Sequence, residues 1–174
     1  MNEVVIRQAS ASDLEILVQM YEVTQRWLAG KGSDQWATNT TEKTRSKLAR
    51  SITRGECYMA EHDGRAVGMI TVDDYADPEF WTPDDKPSRA LYVHRMVVDR
   101  SMAGQNVGRR LLDWAQDLAA ARGKQWLRLD AWRTNMPLHA YYRQQGFTGI
   151  RVVSLSHRGS GALFQRAVAG PREA

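Results

Sequence analysis

The run Asp99-Arg-Ser-Met-Ala-Gly-Gln-Asn-Val-Gly-Arg-Arg places glycines at 104 and 108 between an apolar stretch and an amphipathic one. A strand, a tight turn and a helix in that order aim several backbone N–H groups at one spot. The helix N-terminus adds partial positive charge there. Gly104 and Gly108 permit close approach by a ligand and unusual dihedrals. Asn106 is one of the few non-glycine residues that accept the left-handed region readily. Arg109 and Arg110, one turn into the helix, suit a further phosphate. The six residues Ala103–Gly108 therefore read as a pyrophosphate-binding turn for a nucleotide-linked cofactor. An ordinary strand-to-helix loop has the same outline. The run is not the three-glycine dinucleotide fingerprint, nor a P-loop, because no Gly-Lys-Ser/Thr follows.

A second stretch has a chemistry of its own. Asp73, Asp74, Asp77, Glu79, Asp84 and Asp85 occur without an intervening Lys or Arg, interleaved with Tyr75, Phe80 and Trp81. In a chain of net charge +4 this is a local reversal of sign. Such an acidic, aromatic wall would suit a cationic ligand through ion pairing and cation–π contact. A solvated loop is the plainer alternative. The single cysteine, Cys57, excludes an intrachain disulfide and suits a reducing cytoplasm. It stands in an apolar run with Tyr58 and Met59, where a core residue is expected rather than a nucleophile.

The elements that must position these residues follow from periodicity and punctuation. Val4–Arg7 reads as a strand. Ser10 or Ser12 caps a helix carrying Leu14, Leu17, Val18, Tyr21 and Leu28, which Gly30 and Gly32 end. A weaker helix is expected over Thr41–Ser51. Cys57–Glu61 and Ala66–Val72 form a hairpin about Asp63-Gly64. Tyr75–Arg89 reads as irregular, and Ala90–Val98 as a strand. A helix from about Val107 to Arg122 buries Leu111, Ala115 and Leu118, and Gly123 stops it. Trp126–Ala131 is a strand and Leu138–Gln145 a short helix ended by Gly146. Phe147–Leu155 and Gly161–Val168 close the chain as strands. Ala90 to Ala131 is a βαβ unit, whose two strands should be parallel neighbours. The 174 residues, without repeat, linker or low-complexity tract, read as one α/β or α+β domain over 1–174.

Three runs in this order, Val98-Asp-Arg-Ser-Met-Ala-Gly-Gln-Asn-Val-Gly-Arg-Arg-Leu-Leu, Trp126-Leu-Arg-Leu-Asp-Ala-Trp-Arg-Thr-Asn and Tyr141-Tyr-Arg-Gln-Gln-Gly-Phe, resemble the GNAT superfamily of N-acetyltransferases. The resemblance is closest over Tyr92 to Phe147. It implies a single-domain acetyltransferase fold: a mixed sheet of about seven strands, a parallel pair splayed at the cofactor site, and about four helices. It implies transfer of an acetyl group from acetyl-CoA to an amine, without a metal. The family's cofactor loop is occupied by Ala103, Gly104, Gln105, Asn106, Val107 and Gly108, with Arg109 beside it. Ala103 stands where a long polar side chain is usual, and Asn106 where a glycine is usual. Both changes leave the backbone donors in place.

The same resemblance implies that Met96, Val97 and Val98 pair with the pantetheine arm. It also matches Asn135 to the family's asparagine and Tyr142 to the tyrosine near the thioester sulfur. On an alternating strand Tyr92, His94, Met96 and Val98 share one face. His94 then lies towards the acetyl end, and a histidine has the corresponding place in serotonin N-acetyltransferase. The family's commoner glutamate base falls on Tyr92, which offers no carboxylate. A primary alkylamine has a pKa of about 10 and must lose a proton before it attacks. His94 is the candidate base and Tyr142 the candidate acid, with a backbone N–H near Val97 or Val98 for the oxyanion. A histidine satisfied within the sheet and a helix tyrosine packed in the core are the structural alternatives, and Tyr141, beside Tyr142, is expected to take the core place. Trp36, Asp73, Trp81 and Tyr92 are the candidates for the acceptor side, with core packing as the alternative for Trp36. Asp130, Trp132 and Arg133 follow the second strand of the βαβ unit, and strand-end position makes them further candidates for that side.

The expectation is a cytoplasmic, bacterial N-acetyltransferase acting on a primary amine of a small molecule, by direct attack. A non-catalytic acetyl-CoA-binding module and a protein N-terminal or lysine acetyltransferase are the alternatives. Scattered basic residues give no stripe for nucleic acid, and no apolar run reaches membrane-spanning length. The resemblance allows a homodimer.

Overall fold

The computed structural model describes residues 3–169. Seven strands, hydrogen-bonded in the order β1-β2-β3-β4-β5-β7-β6, make a mixed α/β sheet. Four α-helices and four short 3-10 turns connect them. Two compact units divide the chain. One holds the chain up to Val72 with Arg95–Leu112, and the other holds Asp73–His94 with the chain from Asp113.

The first unit begins with β1 (Val5–Gln8) and α1 (Leu14–Gly30), followed by α2 (Thr41–Thr53) and the hairpin β2 (Cys57–His62) and β3 (Arg65–Asp73). Asp13, at the entry to α1, accepts from Ser10 N–H and from Nη1 and Nη2 of Arg7. Arg7 also donates to Glu61, so β1, α1 and β2 share one ionic knot. Thr40 caps α2 by accepting from Lys43 N–H. Asp63 and Gly64 both take positive φ, +53° and +70°, as a two-residue hairpin turn demands. Leu17, Val18 and Tyr21 of α1 pack with Leu48, Cys57, Met59, Met69 and Val97 into one core cluster. At Gly68 a Cβ would stand 3.1 Å from Leu111 Cδ1, 3.2 Å from Val97 O and 3.3 Å from Val107 Cγ1. The missing side chain lets the start of α3 (Val107–Ala121) lie directly on β3.

The second unit contains the first half of β4 (Ala90–Val98), β5 (Trp126–Trp132), α4 (Met136–Gln144), β6 (Thr148–Val152) and β7 (Ser160–Ala167). β4 and β5 pair in parallel from Ala90↔Trp126 to Val93↔Leu129, and β7 pairs antiparallel with β5 and β6. Phe80, Trp81, Ala90, Tyr92 and Leu163 form its core cluster. Arg128 is buried there, 4.8 Å from the Trp81 ring centroid. It donates to Asp85 O, Gln165 Oε1 and Tyr92 Oη.

Among the described residues no helix is long and apolar enough to cross a membrane. No group of three or more His, Cys, Asp or Glu side chains among them is placed to hold a metal.

Candidate functional site

The turn after β4 is built from its ends. Asp99 caps the 3-10 turn Arg100–Met102, its Oδ1 accepting from Ser101 N–H at 2.8 Å. Arg100 stacks over Trp27, 3.8 Å from the ring centroid, and Arg65 donates to Ser101 Oγ at 3.4 Å. Met102 and Val107 are buried and pin the segment, while Ala103–Asn106 lie exposed between them. Gly104 and Asn106 adopt φ of +78° and +62°, the left-handed conformations expected of a glycine and an asparagine. α3 starts at Val107, so its first N–H groups lack carbonyl partners within the helix and point out of its N-terminus. Exposed left-handed turn residues followed by the first N–H groups of a fifteen-residue helix fit a pyrophosphate. Arg109 and Arg110 are exposed at the same end.

In the second unit, the parallel ladder stops at Val93↔Leu129, although β4 runs on to Val98 and β5 to Trp132. Tyr92 and Arg128 are a ladder pair and bond through their side chains, so they share a face. One rung further on that face, beyond the last pair, stand His94 and Asp130. His94 Nε2 lies 3.0 Å from Asp73 Oδ1, with side-chain exposures of 22% and 13%. Asp73 Oδ1 also accepts from Tyr75 N–H at 3.0 Å. Burial raises the Asp130 pKa; the neighbouring His94 charge, a hydrogen bond from Ser160 and the Arg158 charge pull it back.

Tyr142 is 7% exposed, packed edge-on to Tyr141 and Phe147 and tilted against Phe164. Burial pushes its phenol well above the usual range, with the Tyr141 and Asp130 charges adding to the effect. Tyr141 is less buried, the reverse of the expected division of labour. Asn135 Oδ1 accepts from Leu138 N–H at 3.1 Å and caps α4.

The acceptor-side residues have partners of their own in the structure. Tyr92 is 1% exposed and its hydroxyl is committed, donating to Pro87 O and accepting from Arg128. Trp81 is 4% exposed and packs on Tyr92 in the same cluster. Both side chains belong to the core cluster of the second unit. Trp36 is half-buried, stacked on Tyr21 at 4.4 Å between ring centroids, and packs against the core of the first unit. In the acidic segment four of the six carboxylates have ion-pair partners. Asp85 is paired with Arg151, Asp77 with Arg158, Glu79 with Arg158 and His157, and Asp73 with His94. The segment lacks its own cations because β6 and the β6–β7 connection supply them.

The simple alternation of β4 is corrected as well. Arg95 has φ +46°, a left-handed residue inside the strand, so the parity of Tyr92 and His94 does not carry through to Met96 and Val98. Beyond it, Arg95 donates to Ser51 on α2 and Val97 joins the cluster with Cys57 and Met69. The Asp73–His94 bond escaped the sequence reading, since nothing local links residues 21 apart across two strands.

The family model described as Acetyltransferase (GNAT) family matches residues 17–147. An uncharacterized N-acetyltransferase, YesJ of Bacillus subtilis, is 29% identical over 138 residues, covering 78% of this chain and 76% of its own length. A GNAT-family acetyltransferase structure from Listeria monocytogenes superposes with a TM-score of 0.76 at 23% identity, covering 95% of each chain. The PaiA N-acetyltransferase of Thermoplasma acidophilum, solved with coenzyme A, gives 0.75 at 21% identity, over 95% of this chain and 99% of its own. These two structural likenesses speak for the fold. The chain belongs to the acetyltransferase (GNAT) family. Its class is that of an N-acetyltransferase, with acetyl-CoA as the acetyl donor.

Proposed function

We propose that this protein acetylates a primary amine of a small molecule by direct attack on acetyl-CoA, with His94 as base and Tyr142 as acid. The observation that carries the reading is the end of the β4–β5 ladder at Val93↔Leu129, which leaves His94 as the next residue of β4 and half-buried. Acetyl-CoA supplies the activated acetyl carbonyl. The N–H groups around Gly104–Gly108, with Arg109, hold its pyrophosphate, and Met96–Val98 lie along its pantetheine arm. Asn135 supports the turn into α4 that carries Tyr142. His94, directly or through a water, takes one proton from the ammonium so that the neutral amine attacks, and the second nitrogen proton passes to solvent as the C–N bond of the amide is completed. Tyr142, which burial keeps protonated, gives its proton to the sulfur as the C–S bond breaks. The phenol regains a proton from solvent, and His94 releases one to it. The products are the acetamide and the free thiol. Residues 1–174 act in this reading as one acetyltransferase domain, since the family match runs through both compact units.

The reaction belongs to the cytoplasm, where the lone Cys57 stays reduced. Sedimentation separates a monomer from the homodimer the resemblance allows. A panel of amines, read by thiol release, tests the activity and the acceptor class together. His94→Ala and Tyr142→Phe are expected to lower kcat by about 100-fold or more and about tenfold or more respectively. Unchanged kcat in both variants refutes the assignment.

A further inference from the structure

We infer that Asp73 is a positioning residue for His94, fixing its tautomer and ring orientation so that Nδ1 is the nitrogen that receives the amine proton. This rests on the proposed role of His94 as base. Asp73 closes β3, and its Oδ1 is anchored by the N–H of Tyr75 two residues on. The same oxygen lies 3.0 Å from His94 Nε2. A carboxylate has no proton to give, so Nε2 carries the hydrogen and Nδ1 keeps the lone pair. Before the amine attacks, the ammonium proton moves to Nδ1 while Nε2 retains its own, and the resulting imidazolium faces the Asp73 carboxylate. Asp130 stands on the neighbouring rung of β5 as a second carboxylate near the ring, with Arg158 and Asp77 beyond it. Asp73 therefore does not bind the acceptor. It acts through the histidine, as a carboxylate acts on the histidine of a catalytic triad.

The experiment uses the full chain with histidine labelled in its ring nitrogens. The His94 resonance is assigned by its loss in His94→Ala. The wild-type spectrum should show the Nε2–H tautomer, and Asp73→Ala should abolish its dominance. Asp73→Asn keeps the shape and an oxygen for Tyr75 N–H, so it guards against simple unravelling of the segment. Both variants should lose about tenfold or more in kcat, with KM for acetyl-CoA within about twofold of wild type. An Nδ1–H tautomer in the wild type, or one indifferent to Asp73, overturns the inference. So does near-normal kcat in both Asp73 variants when His94→Ala is inactive, which leaves the base reading intact. Full activity of His94→Ala refutes the base reading itself, and this role with it.

Discussion

Gly68→Ala tests how closely the turn is tied to the sheet. Glycine inside a strand ordinarily costs about 0.5–1 kcal/mol relative to alanine, so at an open site the substitution would stabilise. Here the new methyl meets Leu111 Cδ1 at 3.1 Å, Val97 O at 3.2 Å and Val107 Cγ1 at 3.3 Å. The leucine end can rotate away. The carbonyl belongs to β4, and Val107 opens α3 immediately after the turn, so both must shift with their elements. Overpacking of this kind costs about 1–3 kcal/mol, and the net loss should be about 1–2 kcal/mol. For a chain of this length that lowers Tm by roughly 2–8 °C. The displaced start of α3 should also raise KM for acetyl-CoA more than it lowers kcat. Scanning calorimetry and initial rates across acetyl-CoA concentration read the two effects. Val107→Ala in the Gly68→Ala background should show a coupling of about 0.5–1 kcal/mol, because it removes one of the three contacts. A Gly68→Ala protein as stable as wild type or more so, with unchanged KM, would falsify the close-approach account.

Other predictions follow from individual contacts. Gly108→Glu should raise KM for acetyl-CoA about tenfold or more by placing a carboxylate against the pyrophosphate, while Asn106→Gly should keep or tighten binding, since +62° costs glycine nothing. Tyr92→Phe should lose about 1–2 kcal/mol of stability from two hydroxyl contacts and leave acceptor KM unchanged; a selective rise in that KM contradicts its core role. The Arg151 guanidinium holds the Asp85 carboxyl well below the usual carboxylate range, so the pair's stabilisation is full above pH of about 4 and is lost as pH falls further towards the folded pKa. Asp85→Asn should therefore cost about 1 kcal/mol in denaturant melts at pH 7, and the deficit should shrink in acid. Burial pushes the Cys57 thiol up to about 11, so a disulfide reagent should label it at pH 8 only on unfolding.

The element order, the hairpin about Asp63-Gly64 and the two left-handed turn residues were legible in the sequence. Each depends on local physics: period, capping, and the few residue types that tolerate positive φ. The turn Ala103–Gly108 belongs to this group, because its donors are backbone groups set by the chain on either side. Side-chain assignments across the fold were not legible. Only the tertiary structure decided that Asp73 bonds His94, that Arg151 pairs with Asp85 and Arg158 with Asp77 and Glu79, and that Tyr92 and Trp81 are core. Those pairings come from strands and loops brought together by register, and register is not written in any one segment. The left-handed Arg95 is the sharpest instance. Composition favours no bulge at an arginine, but packing beyond it, at Ser51 and in the cluster around Val97, sets the side each residue takes.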